Sequence, residues 1–172
     1  MAIIPANSKR LILDFDGVMT HLNVDWDAVR SQLAVALKQP DNTPVSAEHQ
    51  YAQNTNHTSI YNDTVKRFET KALAAATISP LLKEIVSTRT NFSVVSNSLH
   101  STIVSYNQMH QLTALCLQIV AADDVTNLKP DPEGLLKIVG TSDPGNFIYM
   151  GDQPNDELAA NQAKISFMHY EF

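Results

Sequence analysis

Five short apolar runs punctuate the chain: LILDF (11–15), FSVVS (92–96), LCLQIV (115–120), FIYMG (147–151) and ISFM (165–168). Each has the length of a buried strand, and the last four crowd into the second half of the sequence. Between them lie LHSTIVSYNQMHQL, DPEGLLKIVG and PNDELAANQAK, whose apolar residues recur at helical spacing. Pro80, Pro132 and Pro154 follow Ser79, Asp131 and Gln153, so each proline is expected at a first helical position, where its missing N–H costs nothing. Strands alternating with helices in this way predict a parallel sheet covered on both faces, a three-layer α/β architecture.

The interval from His21 to Ile78 departs from that rhythm. It holds no strand pattern and two helical ones. DWDAVRSQLAVAL presents Trp26, Val29, Leu33 and Leu37 on one face, and IYNDTVKRFETKALAAA presents Tyr61, Val65, Phe68, Ala72 and Ala75 on another. The segment between them, KQPDNTPVSAEHQYAQNTNHT, is polar and assigned no element. The pattern therefore divides the chain into an α/β core, residues 1–20 and 79–172, and a small α-helical insertion, residues 21–78, placed after the first strand.

Composition narrows the partners rather than the fold. With 172 residues, 44% of them hydrophobic, the chain can bury a core without disulfides. A net charge of −6 argues against a broad basic face for nucleic acid or an anionic membrane. The lone cysteine, Cys116, sits in an apolar run and is expected in the core. The first ten residues, MAIIPANSKR, place apolar residues before basic ones, the reverse of a secretory signal, and no run is long enough to span a membrane, so a cytoplasmic location is expected.

In an open parallel sheet, ligands bind beyond the carboxyl ends of the strands. The polar residues there are Asp14 and Asp16 after the first run, Ser96 and Asn97 after the second, Lys129 after the third, and Asp152 with Asp156 after the fourth. Two aspartates one residue apart are costly unless a cation or a chemical task divides them. Several carboxylates suit a hard cation such as Mg2+, and a hydroxyl, an amide, a helix N-terminus and an ammonium suit an anion. A cation beside an anion cradle is what phosphoryl transfer requires.

These motifs, DFDGVM, VVSN, KPDP and GDQPND in that order, resemble those of the haloacid dehalogenase (HAD) superfamily in its phosphatase branch, and they span Asp14 to Asp156. The resemblance implies a Rossmann-like, HAD-like fold with a helical cap of the phosphoglycolate-phosphatase-like kind. It implies Asp14 as nucleophile, forming an aspartyl-phosphate, and Asp16 as general acid and then base. It implies Mg2+ held by Asp14, the backbone carbonyl of Asp16, Asp152 and Asp156, the last directly or through water. Ser96, the amides around Asn97, and Lys129 would hold the phosphate of a small phosphorylated metabolite. A phosphosugar mutase, similar to β-phosphoglucomutase, shares all these motifs, and a non-catalytic binding protein on the same scaffold is a third reading.

Other polar residues carry plainer expectations. His21 reads as a hinge residue, Asp131 as a helix cap, Arg30, Lys66, Arg67 and Lys71 as solvated charges on the insertion, and Trp26 and Phe68 as packing residues. The family has glycine after the alanine that ends its last helix, where this chain has Ala163-Lys164, so a differently built turn is expected. Relatives also continue with another helix beyond the last strand, and a homodimer partner is expected to cover the face that helix would occupy.

Overall fold

The computed structural model describes residues 3–4 and 9–172, so most of the first ten residues, read above as the reverse of a secretory signal, lie outside the described residues. Five strands, β1 (Arg10–Leu13), β2 (Phe92–Val95), β3 (Cys116–Val120), β4 (Phe147–Gly151) and β5 (Ser166–His169), form one parallel sheet in the order β3-β2-β1-β4-β5. Central β1 pairs with both neighbours, Leu11 standing opposite Phe92 on one side and Ile148 on the other. Strands buried on both faces read as continuous apolar runs, and for β1, β2 and β4 that is the observed pattern.

Helices α4 (Pro80–Thr88) and α5 (His100–Met109) cover one face. Their Leu81, Leu82, Ile85, Ile103 and Tyr106 pack on Leu11, Leu13, Phe92, Val94 and Met150. Helices α6 (Glu133–Val139) and α7 (Pro154–Gln162) cover the other, packing Leu135, Val139, Ala159 and Ala160 on Ile12, Val120 and Tyr149. Pro80 and Pro154 open their helices as expected, with the Ser79 hydroxyl accepting the Leu82 N–H at 3.2 Å. Pro132 instead lies one residue before α6, where the Asp131 carboxylate accepts the N–H of Glu133 at 2.9 Å.

Three helices, α1 (Trp26–Leu37), α2 (Val45–Asn54) and α3 (Thr58–Leu73), occupy the chain between β1 and α4 and share a separate apolar cluster. Sequence periodicity identified two of them. The third, α2, buries Glu48, His49 and Ala52, a face with little apolar contrast, so its pattern stays silent. On α3 the buried positions are Tyr61, Thr64, Val65, Glu69 and Leu73, so the stripe turns toward two polar residues and away from Ala75.

The chain leaves the sheet layer and returns to it at one place. Ser79 N–H donates to Met19 O at 3.1 Å, and the Tyr106 hydroxyl lies 3.0 Å from the carbonyls of both Met19 and Thr77.

Two local expectations change. Cys116 is half-buried rather than a core residue, because β3 is an edge strand with one side open. The turn after α7 keeps the left-handed backbone that glycine would favour, with Lys164 at φ +59° and Ile165 N–H closing onto Ala160 O at 2.9 Å. No described helix is long and apolar enough to cross a membrane.

Candidate active site

Strand order reverses around β1, since β2 and β3 lie to one side of it and β4 and β5 to the other. Crossovers diverge at such a point and leave a crevice at the carboxyl ends of the strands. Asp14 stands there. Its N–H extends the β1 ladder to Met150 O at 2.9 Å, and its side chain is 8% exposed.

The chain then folds back tightly, with the N–H groups of Met19 and Thr20 both reaching Phe15 O. Gly17 adopts φ +88°, and a Cβ there would run into the carboxylate of Asp152, so glycine is required on both counts. Phe15 turns away to pack edge-on against Tyr106 at 5.1 Å, while Asp16 faces the crevice with Oδ1 accepting the Leu22 N–H at 2.8 Å.

Lys129 reaches the centre of the site. Its Nζ lies 2.8 Å from Asp14 Oδ1, donates to Asp156 Oδ1 at 2.5 Å and to the Tyr149 hydroxyl at 2.8 Å. Asp156 is almost fully buried, and its other oxygen accepts the N–H of Gln153 at 3.0 Å, capping α7. Both Asp156 oxygens are thus engaged. By contrast, Asp14 Oδ1 and Asp152 Oδ1 are buried without a hydrogen-bond partner, Asp14 meeting Lys129 at ion-pair distance but out of alignment. One carboxylate oxygen from each of Asp14, Asp152 and Asp156 lies within 4.8 Å of the other two.

Ser96 follows β2, and its hydroxyl accepts the Ser98 N–H at 3.2 Å. The Asn97 side chain is committed to the backbone of Lys129, accepting its N–H at 3.0 Å and donating to its carbonyl at 3.3 Å. Asn97 therefore positions the lysine loop, and contacts to an anion from this segment fall to backbone N–H groups. Those groups are held by a residue that the motifs did not reveal. Glu69 of α3, with no exposed surface, accepts the Leu99 N–H at 3.1 Å and the Thr102 hydroxyl at 2.6 Å, bracing the start of α5. Tyr149 was equally hidden, since an aromatic inside a strand reads as packing; its hydroxyl lies within reach of Lys129, Asp156 and Val95 O.

Burial sets the electrostatics. It pushes the Asp14 carboxyl up to about 7, against the pull of Lys129 and with the help of Asp156. Asp16 is also held above the ordinary carboxyl value, burial outweighing the Leu22 N–H and the nearby His21. For Lys129, burial pulls downward, but Asp14 and Asp156 more than reverse it and the ammonium is held above its usual value.

All seven residues picked from the strand ends line one cleft of about 600 Å3. Its outer wall adds His21, Asn23, Trp26, Asn155 and Glu171. His21 stacks on Phe172 with ring centroids 4.4 Å apart, and its Nε2 lies 2.7 Å from the Phe172 carbonyl. Arg30, Lys66, Arg67 and Lys71 do not line the cleft. Chemically, the arrangement joins a group of carboxylates able to hold a hard cation to a cradle of N–H, hydroxyl and ammonium donors able to hold a tetrahedral anion.

Comparison with known proteins agrees with this geometry. The family model for haloacid dehalogenase-like hydrolases matches residues 11–170. A HAD-superfamily hydrolase of subfamily IA from Geobacter sulfurreducens is similar with a TM-score of 0.64 at 21% identity, over 97% of this chain and 90% of its own. A predicted phosphoglycolate phosphatase from Haemophilus somnus gives 0.64 at 15% identity, over 92% and 83% of the two chains. A proposed β-phosphoglucomutase from Thermotoga maritima gives 0.60 at 17% identity, over 91% and 82%. Identities this low carry the fold and leave the substrate to the site. No curated protein matches the chain.

Proposed function

The chain belongs to the haloacid dehalogenase-like hydrolase family, and from that membership we propose that it is a Mg2+-dependent phosphatase acting in the cytoplasm on a small phosphomonoester. The observation that carries the proposal is the placing of Asp14, a buried carboxylate between the Lys129 ammonium and the partnerless oxygen of Asp152, with Asp16 two residues away in the same cleft.

The donor set fits a hard cation, since two buried carboxylate oxygens lack partners within a cluster of three acids. Asp14, Asp152 and the backbone carbonyl of Asp16 would hold Mg2+. Asp156, whose oxygens already serve Lys129, Tyr149 and the α7 cap, would act through Lys129 and through water. Bound there, the cation would supply charge neutralisation of phosphate and carboxylate together.

The chain's own residues divide the reaction into two displacements. An Asp14 oxygen attacks phosphorus while the bond to the alcohol oxygen breaks, and Asp16 gives its proton to that departing oxygen. Asp16 then takes a proton from water, whose oxygen attacks the aspartyl-phosphate and releases inorganic phosphate and free Asp14. An elevated Asp16 pKa, caused first by burial, suits the acid role. Ser96, the N–H groups near Asn97, and Lys129 would bind the transferring oxygens. In this proposal residues 21–78 serve as a cap that shields the site from water.

The test is phosphate release from a panel of phosphomonoesters, with Mg2+ and with chelator, by wild type and Asp14→Asn. Release that needs Mg2+ and falls at least about a thousandfold in the variant is expected. Wild-type turnover by Asp14→Asn, or none by folded wild type with Mg2+ bound, would refute the mechanism, and the second result would favour a binding protein on this scaffold.

A further inference from the structure

The cleft has to receive the alcohol as well as the phosphate, and its outer wall has a one-sided charge. Twelve residues of the chain are Lys or Arg, and all lie among the described residues. Only Lys129 lines the cleft, where it is 7% exposed and already committed to Asp14 and Asp156. Arg30 is paired with Asp27, Arg67 donates to Gln32, and Lys66 and Lys71 are exposed on α3 away from the cleft. The outer wall offers instead the amides of Asn23 and Asn155, the indole of Trp26, and the carboxylate of Glu171. His21 lies at the same wall with its Nε2 2.7 Å from the Phe172 carbonyl.

A second negative group on the substrate would therefore meet no Lys or Arg beyond the phosphate cradle, and would meet Glu171. Unpaired charge and like-charge approach are how a site rejects the wrong ligand. Amides and an indole, conversely, match hydroxyls and the face of a ring.

We propose that the substrate is a phosphomonoester of an uncharged, polyhydroxylated alcohol, a sugar or a nucleoside, and that hydroxy-acid phosphates and bisphosphates are excluded by the wall of His21, Asn23, Trp26, Asn155 and Glu171. This rests on the phosphatase function proposed above. It separates the chain from structural neighbours whose names point to phosphoglycolate, which carries a carboxylate. It also weighs against a mutase activated by a sugar bisphosphate, which needs a second phosphate site.

The experiment compares matched pairs that differ in one anionic group, with Mg2+ present. The pairs are 2-phosphoethanol against phosphoglycolate, glucose 6-phosphate against 6-phosphogluconate, glucose 1-phosphate against glucose 1,6-bisphosphate, and adenosine 5′-monophosphate against adenosine 3′,5′-bisphosphate. p-Nitrophenyl phosphate reports the chemistry alone. The expected result is a kcat/KM higher by about tenfold or more for the neutral member of each pair. The sugar and adenosine arms tell which alcohol is bound. Turnover of p-nitrophenyl phosphate with equal or better use of the anionic members would overturn the substrate proposal and leave the phosphatase intact. No turnover of any compound, p-nitrophenyl phosphate included, would overturn the phosphatase proposal itself. Glu171→Lys is expected to narrow the 2-phosphoethanol to phosphoglycolate ratio several-fold; an unchanged ratio would overturn the electrostatic argument.

Discussion

Glu69 offers a measurable test of how the inserted helices are joined to the site. Its carboxyl has no exposed surface, and burial pushes it from 4.5 to about 7, with the Thr102 hydroxyl and the Leu99 N–H offsetting only part of that rise. In the unfolded chain the group ionises near its ordinary value. Between the two values the unfolded chain has released a proton that the folded protein keeps, so the folded state loses stability as pH rises from about 4.5 to about 7, and no more beyond. At 1.36 kcal/mol per unit the loss is about 3 kcal/mol. Glu69→Gln keeps an oxygen for Leu99 and Thr102 but cannot ionise. Its amide nitrogen takes the position of Oε1, which is buried without a partner, at a cost that does not vary with pH. Asp14 and Glu48, also raised to about 7 by burial, contribute equally to both proteins and cancel. Thermal melts of wild type and Glu69→Gln at pH 4.5 and pH 8 should therefore diverge. Relative to the variant, wild type should lose about 3 kcal/mol across this range, which for a chain of this size is a shift of roughly 6–12 °C in Tm. An identical difference at both pH values would show that Glu69 ionises as an exposed carboxylate does, and the argument from burial would fail.

Lys129→Met should cost roughly 3–5 kcal/mol, because Asp14 and Asp156 are left buried without their cation, and phosphate binding should fail with it. Urea unfolding at pH 8 checks this, and wild-type stability there would contradict it. Asp16→Asn should slow turnover most for alkyl phosphates and least for activated aryl phosphates; rates equally reduced across leaving-group pKa would remove the acid role. Lys164→Gly should stabilise the protein by up to about 1 kcal/mol, since a left-handed backbone at φ +59° strains a side-chain-bearing residue, and a fall in Tm would count against that strain.

The sheet and the acids at its strand ends were legible because each obeys a local rule. Strands buried on both faces show as unbroken apolar runs, and a carboxylate at the end of such a run has no packing reason to be there. Gly17 and Asp152, 135 positions apart, came together only in space, although each stood beside a recognised motif. What stayed illegible buries polar groups. Helix α2 hides Glu48 and His49, and α3 turns Thr64 and Glu69 inward, so periodicity either vanished or pointed to the wrong stripe. Tyr149 reaches Lys129 and Val95, 20 and 54 residues away, and Glu69 reaches Leu99 and Thr102, 30 and 33 residues away, and no spacing along the chain announces such contacts.

The meeting of Met19 and Thr77 at the Tyr106 hydroxyl, with the Ser79 N–H on Met19 O, has a modular consequence. Because the polypeptide departs and returns within the reach of one side chain, the length and sequence of everything in between are geometrically independent of strand order. A short linker from Thr20 to Thr77 would close the sheet layer without stretching it, and an unrelated insert with neighbouring ends could be grafted at the same joint. Of the residues lining the cleft, His21, Asn23 and Trp26 would change with such an insert, whereas Asn155, Glu171 and the strand-end carboxylates would stay with the sheet layer; the new insert would also have to replace the Glu69 contacts to Leu99 and Thr102.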